Sequence, residues 1–178
     1  MWIKTKMIKE INIHQAKAEN TDEICRLINS AYRGEPGWTN ETHIVAGERT
    51  NTNDLVTLLN KTDSHMLIAT HNQKIIACIC LDINEQHAYI GSFAVSPEYQ
   101  NTGIGKKTLN FAENFAINHL GINKLIMSVI SQRTELIEFY ERRGYRRTGK
   151  KDNYPVHLNV GMPLVEGLTI ERLEKHIY

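Results

Sequence analysis

Apolar positions along this chain change their spacing several times, and each change marks an element. Ile11 to Ala16 alternates weakly and predicts a first strand. Asn20 and Glu23 are spaced as a capping box, and Ile24, Leu27, Ile28 and Ala31 then share one helical face up to Gly34. Thr50 or Asn51 caps a short helix through Leu55, Leu58 and Leu59. His65 to Thr70 and Lys74 to Ile83 read as strands around the turn residues His71, Asn72 and Gln73. Asn84 and Glu85 make another turn before a third strand, Ala88 to Val95, so three consecutive antiparallel strands are expected. After Gly103 the period becomes helical, with Ile104, Thr108, Leu109, Ala112, Phe115 and Ala116 on one face, until Gly121 stops it. Lys124 to Ile130 is an apolar strand, and a strand, helix, strand crossover of this length makes its two strands parallel. Leu136, Phe139, Tyr140 and Arg143 lie on one side of a further helix ending at Gly144, and Leu168 to Lys175 forms a last strand or a short helix. No repeat or linker divides the chain, so residues 1–178 read as one domain, with residues 1–9 as an N-terminal extension.

The most informative stretch runs from His87 to Asn118, where strand, glycine loop and helix follow one another. Ser96 and Pro97 end the strand, because proline cannot donate to a sheet ladder. A helix starts with backbone N–H groups that lack partners and with the positive end of its dipole. Gly103 and Gly105, without Cβ, let a ligand approach those groups, and Lys106 and Lys107 in the first turn are tolerable if an anion binds beside them. A tight turn carrying two solvated lysines is the other reading. Two nucleotide patterns fail: GxxxxGK[ST] needs glycine at Gln100 and a hydroxyl at Lys107, while GxGxxG needs glycine at Thr108.

What fits is Q/R-x-x-G-x-G/A, here Gln100, Asn101, Thr102, Gly103, Ile104, Gly105, preceded by FAVSP and followed downstream by EFYERRGY. With these motifs the chain resembles the GNAT N-acetyltransferase superfamily. The resemblance implies a mixed α/β fold with about seven strands in a mixed sheet, splayed central parallel strands and about four flanking helices. It implies acetyl-CoA as acyl donor, lying between those strands, and no metal. By the family pattern the backbone of Phe93, Ala94 and Val95 pairs with the pantetheine arm. Backbone N–H groups from Gln100, Asn101, Thr102, Gly103, Ile104, Gly105 and Lys106 hold the pyrophosphate. Tyr140 matches the tyrosine that many relatives use to protonate the departing thiolate; its other reading is a packed core aromatic. The activity implied is direct transfer of acetyl to a primary amine of a small molecule, peptide or protein, and the alternative is a non-catalytic acyl-CoA-binding regulatory module.

Two positions depart from the family pattern. Tyr89 stands where some relatives carry an acid on the central strand, which leaves Glu41, Glu85, His87 or a water chain to take the acceptor's proton. Arg133 stands where many relatives carry asparagine, and either contacts a CoA phosphate or is exposed. Between Gly34 and Thr50 a long connection surrounds Trp38, and Trp38, Glu41 and Tyr89 are the acceptor-side candidates. A buried Trp38 with a Glu41–Arg49 ion pair is the structural reading of the same segment.

Charge and composition narrow the partners. A formal net charge of +1 gives no global drive toward nucleic acid or an acidic membrane. The basic run Arg142, Arg143, Arg146, Arg147, Lys150 and Lys151 is interleaved with Glu135, Glu138 and Glu141 and reads as a solvated helix end, so no nucleic-acid partner is expected. Cys25, Cys78 and Cys80 read as reduced thiols, and the N-terminus lacks an apolar run of signal-peptide length, which places the chain in the cytoplasm and off the membrane. A homodimer is expected from the resemblance, since relatives often pair through terminal strands.

Overall fold

The structure, a computed structural model, describes residues 10–34 and 37–178, so the expected extension at residues 1–9 lies outside the described residues. In chain order come β1 (Asn12–Gln15), α1 (Thr21–Arg33), β2 (Val45–Ala46), α2 (Thr52–Leu59), β3 (Ser64–His71), β4 (Lys74–Asn84) and β5 (His87–Val95). They are followed by α3 (Ile104–Leu120), β6 (Lys124–Ile130), α4 (Thr134–Glu141), β7 (Arg146–Asn153), β8 (Met162–Pro163) and β9 (Thr169–His176). Seven strands form one sheet in the order β1-β3-β4-β5-β6-β9-β7, and β2 pairs with β8 separately. Within the large sheet only β5 and β6 run parallel.

Period-two alternation divides the core between the two faces of the sheet. Ile79 and Leu81 of β4 pack with Leu109 and Ala112 of α3 and Ile137 of α4. Cys78 and Cys80, one residue out of phase, pack with Ile24 and Ile28 of α1 and Leu55 of α2. On β5 the parity switches. Ala88 and Ile90 face α3, while Ala94 faces α1, because the β4–β5 register slips by one between Cys78 and Cys80 and Ser92 takes φ +47°. That bulge re-aims the end of β5.

Most predicted elements stand where the periodicity placed them, with two corrections. The capping box does not form: Asn20 Oδ1 accepts from Lys17 N–H at 2.8 Å, and Glu23 Oε1 accepts from Ile75 N–H at 2.8 Å. A missing cap costs about 1 kcal/mol, whereas burial of each large aliphatic contributes about 1.5–3 kcal/mol, so packing of Ile24 and Ile28 holds α1 in place. The basic run past Gly144 is an edge strand, β7, and not a helix end. Its side chains are almost all exposed, so it lacks the apolar alternation that marks a strand, and its lysines suit an unpaired edge. Of the two readings of the segment near Leu168, the strand holds: it is β9, inserted between β6 and β7.

Candidate active site

The parallel ladder between β5 and β6 is very short. It contains only the pairs Ala88↔Leu125 and Tyr89↔Ile126, after which the strands part. From Ile90 onward the β5 backbone groups that face β6 are left out of a ladder, and polar main-chain groups need partners. The gap is therefore a slot lined with hydrogen-bonding backbone.

At the far end of β5 the chain turns through Pro97–Tyr99 into the glycine loop. Asn101 and Gly103 both take positive φ, +62° and +89°, the second as the N-cap of α3. Thr102 Oγ1 braces the turn by donating to Tyr99 O at 2.5 Å. The α3 ladder starts with Lys107 N–H donating to Gly103 O at 3.0 Å, so the N–H groups of Ile104, Gly105 and Lys106 precede it and point out of the helix end. The Gln100 N–H, by contrast, donates to Pro97 O at 3.3 Å. A Cβ on Gly105 would touch Val95, Phe93 and Phe139 at 3.5–3.9 Å, so anything larger than alanine there enters the slot.

A cavity of about 410 Å³ opens beside this loop. Gln100, Asn101, Gly103, Gly105 and Lys106 line it together with Phe93 and Val95. The side chains of Ala94, Thr102 and Ile104 do not line it; Ala94 and Ile104 are buried in the core. Trp38 lies on this cavity, 5.8 Å ring to ring from Phe139. Arg142 and Arg143 line it as well, which corrects their reading as a purely solvated helix end. With Lys106 they put three cations beside a helix N-terminus, a setting suited to phosphate.

A second cavity, of about 210 Å³, lies on the other side of the slot and is lined by Glu41, Arg49 and Tyr89, among others. Tyr32, Phe93, Leu136 and Tyr140 line both cavities, so the two meet there. The Tyr140 ring packs against Phe93, Phe139 and Tyr145 at centroid separations of 6.4, 5.2 and 5.8 Å. Among the described residues its hydroxyl has no hydrogen-bond partner, whereas Tyr145 donates to Glu113 Oε1 at 3.0 Å and Tyr32 to Phe93 O at 2.9 Å. Burial pushes the Tyr140 phenol above its ordinary value, with Arg133 and Arg143 opposing. Burial likewise pushes Tyr32 up to about 12, opposed chiefly by Arg49.

Arg133 corrects both of its expected roles. It is 4% exposed, donates to Trp38 O at 2.9 Å and Thr39 O at 3.1 Å, and pairs with Glu135 at 2.5 Å and Glu41 at 3.5 Å. Gln100 holds the same segment from the opposite side: its Oε1 accepts from Trp38 N–H at 3.0 Å, and its Nε2 donates to Thr39 Oγ1 and Val95 O. The connection after α1 is thus stapled between the glycine loop and the start of α4. Glu41 pairs with Arg33 at 2.7 Å as well as with Arg133, and not with Arg49. Both of its carboxylate oxygens are thereby engaged, Oε2 by Arg33 and Oε1 by Arg133. Glu85 and His87 line neither cavity. Neither Tyr32 nor the Arg133 staple was legible, since their partners lie 61 and 94–95 residues away.

None of the three cysteines lines either cavity. Cys78 donates to Ser92 O at 3.3 Å and is pushed up to about 12 by burial, Cys80 is buried, and Cys25 sits against Thr50 O. All three are free. Among the described residues no group of three or more His, Cys, Asp or Glu is arranged to hold a metal, and no helix is long and apolar enough to cross a membrane.

Comparison with known proteins adds three findings. Residues 21–145 match the acetyltransferase (GNAT) family. The S-(2-succino)cysteine N-acetyltransferase of Bacillus subtilis is 35% identical over 75 residues, a match spanning 42% of this chain and 46% of that protein, under half of its length. Among solved structures, an N-acetyltransferase from Staphylococcus aureus has a TM-score of 0.71 at 20% identity, with 94% of this chain and 97% of that one covered. A GNAT family acetyltransferase from Elizabethkingia anophelis with acetyl-CoA bound has a TM-score of 0.66 at 20% identity, with 95% and 99% covered. These two share the fold of this chain.

Proposed function

The chain belongs to the acetyltransferase (GNAT) family, and from that premise we propose that it is an N-acetyltransferase that moves the acetyl group of acetyl-CoA directly onto a primary amine of a small molecule, peptide or protein. The observation that carries this is the junction of the two cavities, where the Tyr140 hydroxyl stands without a partner among the described residues. Acetyl-CoA, when bound, supplies a thioester whose carbonyl carbon takes the acceptor nitrogen's lone pair while the C–S bond breaks and the sulfur leaves with a proton.

This chain's own groups do the rest. Main-chain N–H groups between Asn101 and Lys106, with Lys106, Arg142 and Arg143, hold the pyrophosphate at the α3 N-terminus. Backbone of Phe93 and Val95 takes the pantetheine arm in the slot. Tyr140 donates its phenolic proton to the departing sulfur and regains one, through water, from the nitrogen that has taken the acetyl group; its raised pKa keeps the donor protonated through the neutral range. Because Glu41 is held by two arginines, the acceptor's ammonium gives its proton to water in the second cavity. Among the described residues no cysteine lines either cavity, which supports direct transfer. Three free thiols suit a reducing compartment, and we place the protein in the cytoplasm.

The test is release of CoA thiol by purified protein given acetyl-CoA and a panel of amines. Amine-dependent release supports the reading. Tight acetyl-CoA binding with no release for any amine would favour a sensing module instead.

A further inference from the structure

Among the described residues the wall of the second cavity has two charged side chains, Glu41 and Arg49, and they differ in one respect. Glu41 is neutralised twice over by Arg33 and Arg133, while Arg49 has no carboxylate partner among the described residues. We propose that Arg49 is the carboxylate-binding residue of the acceptor cavity, and that the acceptor is an α-amino acid with an apolar side chain. The inference rests on the transfer reading above and names its substrate class.

Arg49 is held in place. Asn29 of α1 accepts from the Arg49 N–H at 2.8 Å and the Thr50 N–H at 3.3 Å through Oδ1, and donates to Thr50 O at 2.9 Å through Nδ2. The guanidinium lies over the Tyr32 ring, 5.2 Å from its centroid, and the hydroxyl of that ring reaches the junction at Phe93 O. A planar guanidinium fixed on an aromatic face offers a carboxylate two parallel N–H donors. A carboxylate docked there sets the neighbouring α-amino group toward Tyr140 and the slot. Ile90, Met127, Val129, Ile130 and Ile170 supply an apolar wall for the side chain. The cavity, about 210 Å³, has room for roughly seven waters at about 30 Å³ each, the bulk of one amino acid.

The same charges weigh against a polyamine. A second ammonium on the acceptor would face Arg49 and find no unpaired carboxylate among the described residues of the wall. A peptide N-terminus carries no carboxylate beside its amine, so it leaves Arg49 unanswered.

The test compares methionine with methioninamide, and both with spermidine, by CoA thiol release. Methionine should be preferred over methioninamide by about 10- to 100-fold in kcat/KM, carried by KM, as expected for loss of one charge-assisted contact. The amide has the less basic amine, so basicity works against this preference. Arg49→Gln should reduce the acid-to-amide ratio to near unity, and Arg49→Lys should keep part of it. Equal use of acid and amide by the parent enzyme, an unchanged ratio in Arg49→Gln, or a preference for spermidine overturns the proposal and leaves amine transfer standing. If no amine is acetylated, the transfer reading fails instead, and Arg49 is then judged by calorimetry. Tighter binding of N-acetylmethionine than of N-acetylmethioninamide to CoA-saturated protein, lost in Arg49→Gln, supports the assignment; equal binding overturns it.

Discussion

Tyr140 combines two properties that seldom meet in one side chain: its ring is locked among aromatic neighbours, and its hydroxyl is left to the cavities. Tyr140→Phe keeps the packing and removes the proton donor. It should lower kcat by about 10²- to 10⁴-fold with acetyl-CoA affinity retained, read by thiol release and calorimetry. Because burial raises the phenol's pKa, the donor stays protonated where an ordinary tyrosine begins to ionise, near about pH 10. The parent enzyme's rate should therefore rise with pH as the acceptor amine loses its proton, with no fall up to about pH 10. A decline between about pH 8 and about pH 10 would count against this environment for Tyr140. The FY pair before Gly144 made this residue visible in sequence. Arg133 was not visible, because a buried arginine that serves backbone carbonyls far along the chain looks like any surface arginine until the chain is folded.

At the scale of elements, the bulge on β5, the two-pair ladder to β6 and the glycine start of α3 together make the slot. Gly105→Val places two methyl groups against Val95, Phe93 and Phe139 at the helix entrance. Acetyl-CoA affinity should fall at least tenfold while the thermal midpoint changes little. The staple around Trp38 makes a separate claim. Arg133→Ala leaves Glu41 buried with one partner and frees two carbonyls, and should destabilise the fold by about 3 kcal/mol in urea unfolding. A cost near zero would show the guanidinium to be a surface group. The strands and helices with clear periodicity were legible, as was the glycine loop. Strand β7 was not, because an exposed edge strand buries almost nothing and so leaves no apolar rhythm in its residues. The pairing of Glu41 with Arg33 and Arg133 in place of Arg49 was likewise decided by the folded chain, which brings α1 and the start of α4 to one carboxylate.

For the molecule as a whole, three buried groups on the α1 side, Tyr32, Cys78 and Cys80, couple stability to pH, each raised by burial. Folding raises the Tyr32 phenol from 10.0 and the Cys78 thiol from 9.0, each to about 12. Both folded values lie above the unfolded ones, so the contribution is fully present below about pH 9 and is lost as pH climbs toward 12. Urea midpoints should be level from about pH 7 to about pH 8.5 and drop above that, a fall that Cys78→Ala should soften. The same face carries α1, whose Tyr32 links the sheet to the junction through Phe93 O, so fold and site share one support. The most direct measurement is a crystal structure of the protein with acetyl-CoA. It should place the pyrophosphate on the N–H groups between residues 101 and 106, the pantetheine between β5 and β6, and the thioester sulfur within hydrogen-bonding reach of the Tyr140 hydroxyl. Acetyl-CoA lying outside the gap between β5 and β6, or a sulfur remote from Tyr140, would contradict the site assigned to this chain.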